Sequence, residues 1–435
     1  MLKPSSILPR LVAPLLLFGV LPDSTSQTYL TKESKTQQVS TLHAPTYTFV
    51  NQGHRQIQTI LMGVTYSGTF LELQTNFLKE FCPRNPNAKV ILIYDSGSDL
   101  NKIKQHLREI KVLNNVQLIK AEGQSYKWVQ DPVVFLNYPK KNSVVALSNH
   151  NCSFARTLLK ANIISDIIVP KNENMFLDGG DYRAVEGPNG PVLIVGLDRR
   201  LMGKSRDSEN VTTAINEFVN EFSQYGFQPR NILFRGGDLD NITFDQALQK
   251  MPTGILTMQE QEIPIGTAIG YHTDLAIFET GRKDERGKPI LMMSKPLILY
   301  DDYFQKLLIS VPEQEKSKLK QSQEWWKAVY EKECRQYVKM GFSTCPLPFG
   351  EIYTNNGKDI SVVNYTNVVA STAQNGKTEI YLPVQGNNHP LDMEAIRVYR
   401  RVYGNSAEII PITGSQQMSP DGGLLNCLFN VVERR

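Results

Sequence analysis

The feature that most constrains this chain is a repeated alternation between short apolar runs of strand length and amphipathic runs of helical period. Ile57–Val64, Val90–Tyr94, Val116–Ile119 and Val144–Leu147 read as strands. Segments 66–81, 100–112 and 208–224 read as helices. Ile103, Leu107 and Ile110 share one face of the second, and Val211, Ile215, Phe218 and Phe222 one face of the third. The C-terminal part repeats the theme, with strands at 364–370, 379–383, 408–412 and 424–432. A helix at 391–403 ends where Gly404 can serve as its C-cap. Such alternation predicts an α/β fold. The strands are short and the loops varied, and no Gly-x-Gly-x-x-Gly is present, which separates the pattern from a regular dinucleotide-binding sheet. Residues 311–340 depart from the rhythm. They read as one long polar helix ended by Gly341, a helical insertion that turns Trp325 or Trp326 inward.

The chain has 435 residues, enough for one large domain or two. Lys3 and Arg10 precede an apolar run, Leu11–Leu21, followed by small residues at Ser24 and Ser26. This pattern predicts a secretory signal peptide over 1–26 and a single catalytic domain over 27–435; a disordered or membrane-anchored N-terminus is the other reading. The apolar run is shorter than the ~20 residues that cross a bilayer, so the expectation is a secreted or periplasmic protein with no integral membrane segment after signal removal. The formal net charge is +4 with no basic tract, which provides no case for nucleic acid.

The five cysteines are Cys82, Cys152, Cys334, Cys345 and Cys427. None has the spacing of a zinc site. In an exported protein an odd count leaves one thiol over. Cys334 with Cys345, and less strongly Cys82 with Cys152, are the pairs that would leave Cys427.

Four segments carry chemistry. Trp128-Val-Gln-Asp131-Pro132 places an acid beside a flat apolar wall at a strand entrance. That Asp either holds a cation or caps its own turn. In Asp178-Gly-Gly-Asp181, two glycines let the backbone bend so that both carboxylates converge; a hairpin turn has the same signature. His272-Thr-Asp274 on a strand would put an imidazole and a carboxylate on one face, either as a general-base site or as a histidine satisfied in a loop. In Asp421-Gly-Gly-Leu-Leu-Asn-Cys427, a Gly-Gly turn feeds a strand carrying a cysteine, a nucleophile or simply core.

Taken in order, these segments resemble the guanidine-modifying (pentein) superfamily, which includes arginine, agmatine and protein-arginine deiminases and amidinotransferases. The resemblance runs from about residue 55 to 435, leaving out 311–340. It implies a propeller-like α/β fold of about five ββαβ modules around a central active site. It makes Cys427 the nucleophile, His272 the general acid/base, and Asp131 and Asp274 the acids that hold the guanidinium. Asp178 would orient the histidine; Asp181 and Trp128 would complete the substrate site. A second motif, Arg235-Gly-Gly-Asp238-Leu-Asp240, competes for the role of the 178–181 loop. Asn426 stands where agmatine enzymes often have His. The implied reaction is hydrolysis of a guanidino group to a ureido group and ammonia. The substrate would be arginine in peptides or proteins, with free arginine or agmatine as the small-molecule alternative. Amine transfer and a non-catalytic binding protein on the same fold are the rival readings. The chemistry requires no cofactor. Calcium is compatible with it, although the sequence has no EF-hand loop.

Overall fold

In the chain's first sheet, Ile60, Leu61 and Met62 on one strand and Val90 to Ile93 on the next are fully buried. A strand covered on both faces must be apolar at every position rather than at alternate ones, as these two sequences are. The structure is a computed structural model. It describes residues 47–435 except 51–54, 65–69, 96, 123–128, 131, 150–151, 172–176, 178, 197–210, 224, 226, 236–256, 259–260, 263–272, 355–358, 387, 416–424 and 435. The expected signal segment 1–26 lies outside the described residues. No described helix is long and apolar enough to cross a membrane.

Among the described residues, five sheets of three or four strands share one connection pattern. An antiparallel pair is followed, across at least one helix, by a parallel neighbour. Val133–Tyr138 pairs antiparallel with Ser143–Ser148, and the helix Ser153–Lys160 leads to the parallel strand Ile167–Ile168. Tyr182–Gly187 and Gly190–Gly196 are followed through Val211–Ser223 by Ile232–Arg235. Ile277–Lys283 and Pro289–Pro296 are followed through Asp301–Ser310 and Glu313–Lys339 by Ser343–Thr354. Val369–Thr372 and Thr378–Pro383 are followed through Pro390–Tyr403 by Ala407–Ile412. The fifth sheet joins the two ends of the described chain. Phe429–Arg434 lies antiparallel to Ile57–Gly63, which continues in parallel to Lys89–Tyr94 and Val116–Lys120. A helix-bearing crossover is what a parallel neighbour demands, because a tight turn can only reverse the chain. The fold is mixed α/β with several separate sheets, as the alternation predicts.

The helix Glu72–Arg84 buries Leu73, Phe77 and Phe81. Phe77 lies 4.2 Å from the Phe429 ring and 5.1 Å from that of Tyr381. These rings tie two sheets to the segment that carries Cys427, each contributing about 1.5–3 kcal/mol by burial. Pro390–Tyr403 ends at Gly404, whose φ of +56° suits a residue without a Cβ, matching its expected C-cap role. The segment read as an insertion is a single helix, Glu313–Lys339. Trp326 is its inward aromatic, buried with its ring 5.2 Å from that of Phe349.

Three expectations fail, each for a tertiary reason. The cysteines form no disulfide: all five are thiols. Cys334 faces Met293, with the sulfurs 3.6 Å apart, whereas Cys345 accepts from Arg401 Nη2 at 3.4 Å, so their side chains meet different neighbours. Burial alone pushes the Cys82 thiol up to about 12. Residues 364–370 are not one strand. A strand ends at Asn364, the chain bends, and the next begins at Val369. Nor is 424–432 one strand, because Leu425–Leu428 forms a helical turn before the strand Phe429–Arg434.

Candidate active site

Asp274 lies on a 3₁₀ turn, Thr273–Leu275, immediately before the strand Ile277–Lys283. The expectation of a strand with His272 and Asp274 on one face is therefore corrected for Asp274. Side-chain hydrogen bonds consume the local carbonyls instead: Leu275 O accepts from Asn364 Nδ2 at 2.6 Å and from Ser294 Oγ at 2.7 Å. Thr273 Oγ1 donates to Asp181 O at 2.9 Å, which joins this turn to the Gly179–Asp181 turn.

The Asp274 side chain is fully buried. Its Oδ2 accepts from Asn367 Nδ2 at 2.7 Å and from Asn426 Nδ2 at 3.1 Å. The Cys427 thiol donates to the same oxygen at 3.4 Å. Its other oxygen, Oδ1, is buried and accepts no hydrogen bond from the described residues. A buried carboxylate needs such donors, because desolvation otherwise drives it to its neutral form.

Asn367 is the hinge of the cluster. Its Nδ2 reaches both Asp274 and Cys427 Sγ, the latter at 3.4 Å, while its Oδ1 accepts from the backbone N–H of Asn426 at 2.7 Å. It is delivered by the bend that replaces the expected strand. There the Asn364 carboxamide oxygen accepts from the backbone N–H groups of Thr366 and Asn367. Asn364-Tyr-Thr-Asn367 carries turn-forming residues that a strand disfavours, and that was the available signal for this residue.

The segment flanking Asp131 is held against the same cluster. Asn430 Nδ2, three residues beyond Cys427, donates to Val129 O and Val133 O at 3.2 and 3.3 Å. A Cβ on Gly179 would lie 2.0 Å from Gln130 O, so only glycine permits this approach of the two turns. The Gln130 amide faces Asp274 with its nitrogen, since the opposite orientation would aim a carbonyl at a carboxylate. Its Nε2 then donates to Asp274 Oδ2 at 3.0 Å and to Asn426 O at 3.1 Å. Asn149 brackets Leu177, accepting from its N–H at 2.7 Å and donating to its O at 2.9 Å.

Of the residues expected at the site, the structure brings Cys427 and Asp274 into contact, and it places the fully buried Asp181 on the turn bonded to that of Asp274. Asp131, His272, Asp178 and Trp128 lie outside the described residues, as do Asp238 and Asp240 of the competing loop. That loop leaves the strand Ile232–Arg235 at Arg235, whose guanidinium is buried against Glu333 of the long helix, with Nε 3.1 Å from the carboxylate. Burial pushes Glu333 above the usual carboxylate range, and Arg235 pulls it the other way.

One further charge belongs to this region. Arg183, on the strand after Asp181, is buried. Burial holds its guanidinium below the ordinary value, and Asp274 and Glu279 counter that effect.

The comparisons bear on the fold. No family model and no curated protein sequence matches the chain. Solved structures do. The C. jejuni agmatine deiminase is 13% identical with a TM-score of 0.52, over 86% of this chain and 93% of that one. A substrate-bound variant of the same enzyme gives 12% identity and a TM-score of 0.55, over 90% and 98%. A Porphyromonas gingivalis protein described as an arginine deiminase is 13% identical with a TM-score of 0.53, over 88% and 97%. The chain has the fold of these deiminase structures.

Proposed function

We propose that this chain is a cysteine-dependent hydrolase that deiminates a guanidino group. The observation that carries the reading is the buried pair of Cys427 thiol and Asp274 carboxylate, 3.4 Å apart and braced by Asn367 and Asn426. At an effective dielectric constant near 20, a thiolate that close to a carboxylate is disfavoured by about 5 kcal/mol. A planar cation bound against both removes that penalty, and a guanidinium is such a cation with N–H donors on each edge. The buried Oδ1 of Asp274 suits one of those donors. A neutral amide substrate would require no buried anion at this place.

In the mechanism, Asp131 and Asp274 grip opposite edges of the guanidinium, and Trp128 and Asp181 complete the pocket. Cys427 gives its proton to His272, and the thiolate attacks the central carbon, forming a C–S bond. His272, oriented by Asp178, protonates the departing nitrogen, and the C–N bond breaks with release of ammonia. His272 then takes a proton from water, which attacks the thiouronium carbon. The C–S bond breaks, leaving a ureido group and the restored thiol. The five sheets are read as five modules around this central site.

The substrate we favour is arginine within peptides or proteins, giving citrulline. This rests on Trp128-Val-Gln-Asp131 and on the export that the sequence of residues 1–26 leads us to propose. Agmatine is the second reading, favoured by the likeness to agmatine deiminase structures. Ammonia and ureido product are measured on benzoyl-arginine amide, free arginine and agmatine, with and without calcium. The deiminase reading expects turnover of at least one and a loss of at least about a thousandfold in Cys427→Ala and Asp274→Asn. Turnover that survives in Cys427→Ala would sink it.

A further inference from the structure

One oxygen of Asp274 is surrounded by the protein itself. Three buried carboxamides direct an N–H at Oδ2: Asn367 at 2.7 Å, Gln130 at 3.0 Å and Asn426 at 3.1 Å. The Cys427 thiol is a fourth donor at 3.4 Å. A carboxylate oxygen offers about two lone-pair sites, so Oδ2 is filled by the chain's own donors.

The second N–H of each carboxamide is directed elsewhere in the cluster. That of Asn367 reaches Cys427 Sγ at 3.4 Å, that of Gln130 the backbone O of Asn426 at 3.1 Å, and that of Asn426 the Gln130 amide oxygen at 3.2 Å. Asn367 Oδ1 in turn accepts from the Asn426 backbone N–H at 2.7 Å. The three side chains thus form a collar in which each is oriented by another. They arrive from separate places in the fold. Gln130 precedes the strand Val133–Tyr138, Asn367 lies in the bend between Asn364 and Val369, and Asn426 lies on the helical turn Leu425–Leu428.

The residue type matters as much as the place. A buried carboxylate needs donors. Arginine or lysine would supply them and cancel the charge as well. Carboxamides donate without carrying charge, so they satisfy the oxygen and leave its attraction for a cation in place.

We propose, on the reading of Asp274 as the anion that grips the substrate, that Gln130, Asn367 and Asn426 are positioning residues that fix Asp274 through Oδ2 and leave Oδ1 as the oxygen that takes an N–H of the planar cation. The cation therefore meets Asp274 through one oxygen rather than across both. The collar sets how that oxygen is aimed, and with it where the cation sits beside Cys427.

The test is the labelling rate of Cys427 in the full-length protein by 2-chloroacetamidine and by 2-chloroacetamide, read on the Cys427 peptide by mass spectrometry. Both reagents lose chloride to the thiolate, but only the first is a planar cation. The ratio of the two rates, divided by the same ratio for free cysteine, separates the grip on the cation from the reactivity of the sulfur. The parent ratio is about thirtyfold or more, and Asp274→Asn brings it close to one. Asn426→Leu, which keeps a branched side chain and removes both donors, lowers the ratio about tenfold or more. In the Asp274→Asn protein the same substitution changes it by less than about twofold, because its effect passes through Asp274. A ratio that Asn426→Leu leaves unchanged, as a purely structural role would, overturns the proposal. A fall of equal size in both backgrounds overturns it too. If Asn426→Leu does not fold, Gln130→Met takes its place in the same cycle, with the same outcomes. Ammonia release is assayed in parallel. Coupling between Asn426 and Asp274 in a protein that deiminates nothing strikes the proposed function alone. Cys427-dependent ammonia release without that coupling strikes this inference alone.

Discussion

Two loops of nearly the same sequence, Gly179-Gly-Asp181 and Gly236-Gly-Asp238, follow different partners. The first turns under the backbone of Gln130 and Val133 and is bonded through Asp181 O to the turn of Asp274. The second leaves a strand whose last residue, Arg235, is buried against Glu333 of the long helix. A Gly-Gly-Asp motif permits a sharp bend but does not say what the bend meets. The residue before the glycines and the neighbour on the other side decide that. Beside the first loop lies a chemical cluster. Arg235, which precedes the second in sequence, forms a structural ion pair at a cavity of about 20 Å³, lined also by Trp326 and Phe349, with room for about one water.

The contrast can be broken by separating stability from turnover. Arg235→Met strands the buried Glu333 and should cost about 3–5 kcal/mol in urea unfolding. The folded fraction should keep kcat/KM within about threefold on whichever guanidine is turned over. If stability holds and turnover collapses, the second loop is the one that serves catalysis. Gly179→Ala should do the reverse. Its Cβ meets backbone oxygens at 2.0 and 2.8 Å, so the 130–133 turn must move, at a cost of about 1–3 kcal/mol in stability. Turnover should fall by more than that stability loss accounts for, because Gln130 and Asp131 move with the turn.

Asn367→Ala sharpens the same contrast from within the cluster. It removes one donor from Asp274, one from Cys427 and the acceptor of the Asn426 N–H, so kcat should drop by about 10–100-fold alongside a stability loss of about 1–3 kcal/mol. The smallest effect concerns pH. Burial lowers both His106 and His389 below the ordinary imidazole value. Neutral imidazole is therefore the form the fold prefers. The contribution is complete above the unfolded value of about 6.5 and is lost as pH falls through the lower folded value. Thermal unfolding from pH 7 to 5 should show a shallower decline in a His106→Gln, His389→Gln protein than in the parent.

Much of the architecture was legible because strands and helices announce themselves by period. The long helix, the C-cap at Gly404 and the α/β alternation came from local pattern alone. The approach of Asp274 to Cys427 came from a resemblance, since the residues lie 153 positions apart and no local rule joins them. Asn367 was missed because its segment looked like an apolar strand when read by hydrophobicity. Its turn chemistry depends on Asn364 bonding forward to the backbone. The disulfides failed because spacing says nothing about which way two thiols face. Arg183 was passed over because a charged residue inside a strand reads as a surface position until the neighbouring sheet covers it.

The strand that follows Cys427 completes the sheet begun by Ile57–Gly63, with Thr59 and Glu433 bonded across 374 positions. In folding terms, Cys427 is fixed beside Asp274 by a segment that is anchored only when this remote strand pair has formed. A half-folded chain therefore has the thiol without the carboxylate, or the carboxylate without the thiol. Contacts this remote in sequence form slowly, so the appearance of activity should coincide with the final step of folding.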